Sequence, residues 1–189
     1  MKRILCFGDS NTYGYDPRSC FGSRYPADVR WTGLLQGDGR EIVNCGQNGL
    51  CIPRRPQFPA VLELLCRVPS DVLTVMLGSN DLLNGASAED AAARMEELLR
   101  CVKENRGTAG ILLIAPPPMR PGDWVQTREL IGESEKLGGL YRQLADKSGV
   151  AFADAGDWGI SLTFDGVHFS PAGHAAFAAG LIKALEMTE

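Results

Sequence analysis

Histidine is scarce in this chain: His168 and His174 are the only two among 189 residues, so any mechanism with an imidazole base must use one of them. A basic excess is missing as well. There are 19 Lys+Arg against 23 Asp+Glu, a formal charge of −4, which removes the electrostatic footprint of a nucleic-acid binder. Long apolar runs are absent near the start, where Ile4–Phe7 is cut off at once by Gly8-Asp9-Ser10. A secretory leader needs an apolar stretch of about 7–15 residues, and a membrane helix about 20. With neither legible, the sequence predicts a cytoplasmic protein without a membrane partner. Cys6, Cys20, Cys45, Cys51, Cys66 and Cys101 form no CxxC pair and no Cys/His cluster. They read as reduced thiols, most of them small core residues. Two histidines without HxxxH spacing or a carboxylate cluster also make a poor metal-ligand set.

What is present is a globular composition, 44% apolar and 22% charged. The length suits one domain, 1–189, within the usual range of about 100–200 residues. Short runs rich in Val, Ile and Leu alternate with segments of helical period. Arg3–Phe7, Glu41–Asn44, Val72–Leu77, Ile111–Ala115 and Val150–Ala153 read as buried strands closed by Gly, Pro or Asn. Ala88–Asn105 gathers Ala88, Ala91, Met95, Leu98, Leu99 and Val102 on one helical face, and Ile131–Ser148 does the same with Leu137, Leu140, Tyr141 and Leu144. A last helix begins at Ser170-Pro171, a capping hydroxyl followed by proline at the first helical position. Weaker helices are predicted at Asp28–Gln36 and Phe58–Arg67. This rhythm predicts an α/β fold, a parallel sheet with helices on both faces. Ligands then bind outside the carboxyl ends of the strands. Two irregular stretches, Tyr13–Pro26 and Pro116–Val125, are either pocket walls or plain surface connections.

Four short motifs fall at the ends of these elements. Gly8-Asp9-Ser10-Asn11 places a serine on a strand-to-helix turn, which favours an exposed nucleophile and a stabilised anion; a simple helix cap is the alternative. The same stretch lacks the GxxxxGK[ST] lysine and the GxGxxG spacing, so a phosphate-binding loop is disfavoured. Asp165-Gly166-Val167-His168 brings a carboxylate and an imidazole onto one loop, where Asp165 can orient the ring and stabilise the imidazolium. His174 falls in the first turn of the last helix, near the positive end of its dipole, which does not favour a protonated ring. His168 is therefore the candidate base and His174 a packing or supporting residue. In Gly78-Ser79-Asn80-Asp81 the Asn80 carboxamide can donate to an oxyanion or merely shape a turn. In Asn44-Cys45-Gly46-Gln47-Asn48-Gly49 the Gly46 N–H can approach a ligand closely, or the glycine can serve turn geometry alone. Each motif is modest by itself; the convergence of all four on one sheet edge is specific.

With these residues in place, the sequence resembles the SGNH/GDSL hydrolase superfamily, whose name lists Ser, Gly, Asn and His from four blocks. Gly8-Asp9-Ser10-Asn11 matches the first block, with Asn11 where Leu is commoner; Gly46 matches the second, Gly78-Ser79-Asn80-Asp81 the third and Asp165-Gly166-Val167-His168 the last. Gly14-Tyr15-Asp16-Pro17, Arg30-Trp31 and Gly173-His174 are similar to the small arylesterase/acyltransferase-like branch, in which Trp is frequent at the positions of Tyr13 and Tyr15. The resemblance implies a flavodoxin-like three-layer α/β/α sandwich on a five-stranded parallel sheet. It further implies hydrolysis of short-chain, acetyl-type esters through an acyl-serine, with Ser10, Asp165 and His168 catalytic. The Ser10 and Gly46 N–H groups and the Asn80 side chain would form the oxyanion hole, and no metal or organic cofactor is required. Relatives in this branch are often oligomers, so a homo-oligomer acting on a small-molecule ester is expected. Two other readings stand beside it: an acyltransferase or perhydrolase using the same residues, and a non-catalytic carbohydrate or small-molecule binder on the hydrolase scaffold.

Overall fold

Largely apolar strands are stable when apolar layers cover both of their faces; the predicted runs at Ile4–Phe7, Val72–Met76 and Ile111–Ala115 are buried, and those near Val43 and Ala153 are largely half-buried. In the computed structural model, which describes residues 1–19, 22–106 and 110–186, they form β1 (Lys2–Gly8), β2 (Arg40–Gly46), β3 (Val72–Met76), β4 (Ile111–Ala115) and β5 (Ala151–Asp154). All pair in parallel, in the order β2-β1-β3-β4-β5. This is the flavodoxin-like order, with its reversal point between β1 and β3. Gly8 stands opposite both Gly46 and Met76, so the loops after β1, β2 and β3 leave the sheet at one level.

The connecting helices are α1 (Ser10–Tyr13), α2 (Trp31–Leu34), α3 (Phe58–Arg67), α4 (Ser79–Leu83), α5 (Ala88–Arg106), α6 (Arg128–Ser148) and α7 (Pro171–Glu186). Strand side chains alternate between two cores, as period-two geometry requires. Leu5, Phe7, Leu73, Val75 and Leu113 pack with Leu65 of α3, Met95 and Leu99 of α5 and Tyr141 of α6. Ile4, Cys6, Met76, Leu112 and Ile114 face the other way, onto Trp31 of α2 and Phe177 and Leu181 of α7. Each fully buried aliphatic side chain contributes about 1.5–3 kcal/mol. The cysteines Cys6, Cys45, Cys51, Cys66 and Cys101 are free thiols, and Cys20 lies outside the described residues. Among the described residues no helix is long and apolar enough to cross a membrane.

Two helices differ from their sequence-based bounds. Asp28–Gln36 shrinks to Trp31–Leu34, because the chain first turns on the Pro26 carbonyl and Arg30 is extended, at φ −71° and ψ 140°. In the opposite sense α6 begins at Arg128, three residues before Ile131. The Thr127 hydroxyl caps it by accepting the Leu130 N–H at 3.3 Å, ahead of the first apolar position. The predicted cap of α7 is present: Ser170 Oγ accepts the Gly173 N–H at 3.0 Å.

Candidate active site

The β1 strand ends at Gly8, and Ser10 is the first residue of α1. Asp9 caps that short helix by accepting the Asn11 N–H at 3.0 Å, and Ser10 N–H has no acceptor among the described residues. Burial drives the Asp9 carboxyl up to about 6, although the Asn11 N–H and the charge of His168 pull it down and Asp81 adds to the rise. From the far end of the chain, His168 Nε2 lies 2.9 Å from Ser10 Oγ, and His168 Nδ1 lies 2.7 Å from Asp165 Oδ2. The second oxygen, Asp165 Oδ1, accepts the N–H groups of Val167 and His168, both at 2.9 Å. Burial alone would raise the Asp165 carboxyl, but these hydrogen bonds and the imidazole outweigh it and hold the group down at about 2. A fixed anion therefore faces Nδ1 while Nε2 faces the hydroxyl, the geometry in which imidazole takes a proton from serine.

Asn80 arrives at the same edge from β3. The chain can enter α4 there because Gly78 adopts φ +127°, a conformation side chains rarely take, and a Cβ would also press on the Tyr141 hydroxyl. One hydrogen of the Asn80 carboxamide goes to the Leu50 carbonyl at 3.1 Å, leaving a second N–H. Its neighbour Asp81 points into the core, where it accepts the Ile52 N–H and Arg94 Nη1, each at 2.9 Å. Asn80 and Asp81 thus pin the 47–52 loop to α4 from two sides.

Gly46 is placed differently from the expectation. Its N–H donates to its neighbour Asn44 Oδ1 at 2.9 Å, and a Cβ would overlap the backbone of Thr12 and Tyr13. It is a close-packing glycine beneath α1, and its N–H is not open to a ligand. Gly49, three residues on, carries an N–H with no acceptor among the described residues, directly before the Leu50 carbonyl that meets Asn80.

Both irregular stretches reach the site. The Tyr15 ring stands 4.7 Å from the His168 ring at 57°, and Trp124 stands edge-on at 4.9 Å and 80°. The loop bearing Trp124 is laced to the histidine loop by Arg120 N–H to Gly166 O, 3.0 Å, and Trp124 N–H to Asp165 O, 3.1 Å. Trp124 remains 50% exposed and neighbouring Phe164 58%, so the rim is aromatic. His174 lies buried beneath, edge-on to Tyr25 and Phe169, with Nδ1 accepting the Trp31 N–H at 3.4 Å. Burial, then the charge of His168, pushes its ring down to about 4. It is a neutral packing residue.

Comparison with known proteins accords with this arrangement. The model of the GDSL-like lipase/acylhydrolase family matches residues 6–176. The chain belongs to that family. Its solved neighbours include a protein provisionally assigned as an arylesterase from Agrobacterium tumefaciens str. C58, at 30% identity, TM-score 0.85 and complete coverage of both chains. A carbohydrate acetylesterase from Sinorhizobium meliloti and the aryl esterase of M. smegmatis each share 28% identity at TM-score 0.83, again over 100% of both chains. No curated protein matches the chain. This GDSL chain is an ester-hydrolysing enzyme.

Sequence reasoning passed over three contributors to the GDSL site. Asp81 carries a signal: a carboxylate just beyond a buried strand, followed by Leu82-Leu83, needs a partner, and Arg94 stands between Ala91 and Met95 on the edge of the apolar face of α5. Asn11 was visible only as a departure from leucine. Gly49 had none, since its position depends on how the 47–52 loop closes on α4.

Proposed function

We propose that this GDSL hydrolase is a serine esterase of short-chain, acetyl-type carboxylic esters that works through an acyl-Ser10 intermediate. The observation that carries the reading is the unbroken chain Ser10 Oγ–His168 Nε2, 2.9 Å, and His168 Nδ1–Asp165 Oδ2, 2.7 Å. Ser10 attacks the ester carbonyl as His168 takes its proton, and Asp165 stabilises the imidazolium. The oxyanion forms against the Ser10 N–H and the free hydrogen of the Asn80 carboxamide. Gly49 replaces Gly46 as the third donor, since the Gly46 N–H is committed to Asn44. Collapse expels the alcohol, protonated by His168. Water, deprotonated by the same ring, then cleaves the acyl-serine and releases the acid.

The leaving group must depart over His168 Nε2, where Tyr15 and Trp124 face the ring, so an aryl or sugar alcohol suits that side. The arylesterase and carbohydrate acetylesterase neighbours support the same choice. The five free thiols support a cytoplasmic setting, and the exposed Trp124 and Phe164 support a homo-oligomer, which light scattering at micromolar concentration tests. The deciding experiment combines fluorophosphonate labelling with p-nitrophenyl ester turnover, acetate through decanoate. Ser10→Ala and His168→Ala should stay folded and lose both signals, with acetate the preferred acyl group in the parent. Retained turnover in either variant overturns the mechanism, and preference for decanoate overturns the acyl assignment.

A further inference from the structure

We propose that Asn11 is a positioning residue that sets His168 against Ser10. Its Nδ2 donates to the Val167 carbonyl at 3.1 Å and its Oδ1 accepts the Phe169 N–H at 2.9 Å, so one carboxamide holds the peptide groups on both sides of His168. The backbone of Asn11 is itself held. Asn11 N–H is bound by Asp9 Oδ1 at 3.0 Å, and its carbonyl accepts Trp31 Nε1 at 2.8 Å. The side chain is buried, 4% exposed, next to the nucleophile in sequence.

The requirement follows from how the rest of the site is tied. Every bond that orients His168 toward Asp165 lies within residues 165–168, so that pair assembles on its own loop. The loop's other backbone ties close on itself, Thr163 N–H to His168 O at 2.8 Å and Gly166 N–H to Thr163 O at 3.1 Å, or run to Arg120, Asp123 and Trp124; none reaches α1. Among the described residues, the Asn11 bonds are the only side-chain hydrogen bonds between α1 and residues 163–169 apart from Ser10–His168 itself. Leucine, the commoner residue at this place in the motif, offers neither donor nor acceptor. A carboxamide offers both in one plane, matched to the carbonyl of residue 167 and the N–H of residue 169. Without it those two buried backbone groups lose their partner and the loop must shift to regain one. A displacement of about 1 Å at a general base is enough to cost on the order of 10²-fold in rate.

The inference rests on Ser10 and His168 as nucleophile and base, and the test separates the two. Asn11→Leu, which keeps the number and branching of the side-chain heavy atoms, and Asn11→Ser, which keeps a polar side chain, are compared with the parent in p-nitrophenyl acetate turnover and in fluorophosphonate labelling of Ser10. Both variants should lose about 10- to 100-fold in kcat and in labelling rate, with KM within about threefold. The acid limb of the pH–rate profile should keep its midpoint, because the Asp165–His168 pair is untouched. A core variant, Leu181→Val, supplies a control that lowers the melting temperature without altering kcat. Should Asn11→Leu fail to fold, Asn11→Ser carries the test. Activity and labelling within about twofold of the parent in a folded variant, or a loss no larger than that of Leu181→Val, overturns the proposal. A parent inert in both assays overturns instead the assignment of Ser10 and His168.

Discussion

His168 Nε2 lies 2.9 Å from Ser10 Oγ across 158 residues of chain, whereas its Nδ1 meets Asp165 Oδ2 only three residues away, at 2.7 Å. The orienting half of the site is local and the reacting half is long-range. The two halves therefore fail in different ways when residues are changed.

Asp165→Asn retains the shape of the loop but allows the imidazole to adopt the wrong tautomer. We expect kcat to fall about 10⁴-fold with little change in KM. A loss of tenfold or less in steady-state kinetics would show that Asp165 is not the orienting group.

Asn80 and Asp81 are adjacent in sequence and opposite in consequence. Asn80→Ala removes a donor at the developing oxyanion and should lower kcat about 10²–10³-fold, with the melting temperature changed by only a few degrees. Asp81→Ala leaves Arg94 and the Ile52 N–H without their acceptor and should cost about 2–3 kcal/mol in urea unfolding. Exchange of the two phenotypes would refute the division of labour.

The pH dependence of stability contains two opposed contributions. Asp9 titrates near 6 when folded, raised from 3.8, so its stabilising contribution is complete below about pH 4 and is lost as pH rises through 6. His174 titrates near 4, lowered from 6.5, so its contribution is complete above pH 6.5 and is lost as pH falls through 4. Each is on the order of 3 kcal/mol, and between pH 4 and 6.5 they offset one another. We expect a nearly flat melting temperature across that window in the parent. Asp9→Asn, which keeps the cap on α1, removes one side of the balance, and its melting temperature should climb steadily from pH 4 to 6.5. Parallel melting curves for variant and parent would show that Asp9 does not titrate there.

Trp124 offers an exposed face beside the base. Trp124→Ala should lower kcat/KM about tenfold for p-nitrophenyl acetate, equivalent to about 1.4 kcal/mol, and much less for methyl acetate, whose leaving group has no ring to stack. Equal losses on the two esters would remove Trp124 from leaving-group recognition.

The strands and the grouping of Ser10, Asp165 and His168 are legible because each rests on local pattern. Ile111–Ala115 is aliphatic throughout and Val72–Met76 is broken only by Thr74, and Ser10, Asp165 and His168 lie in short motifs at strand or helix ends. The Gly46 assignment failed for a physical reason. A glycine in a turn after a strand can expose its N–H or let two backbones touch, and only the contact with Thr12 and Tyr13, with Asn44 capturing the N–H, reveals which applies. Asn11 and Asp81 were opaque in the same way, since both act through partners 156, 29 and 13 residues away. The end of α2 nearest Arg30 was lost because apolar spacing cannot register a single extended residue.

Chain order places the serine just after the first strand and the histidine beyond the last. During synthesis the nucleophile therefore leaves the ribosome long before its base. Before residue 168 is made and the loop before α7 docks, the nascent chain is expected to hold an ordinary hydroxyl, inert toward acyl groups. Emergence of ester cleavage in a stalled-translation series would accordingly time the closing step of folding, with activity itself as the reporter.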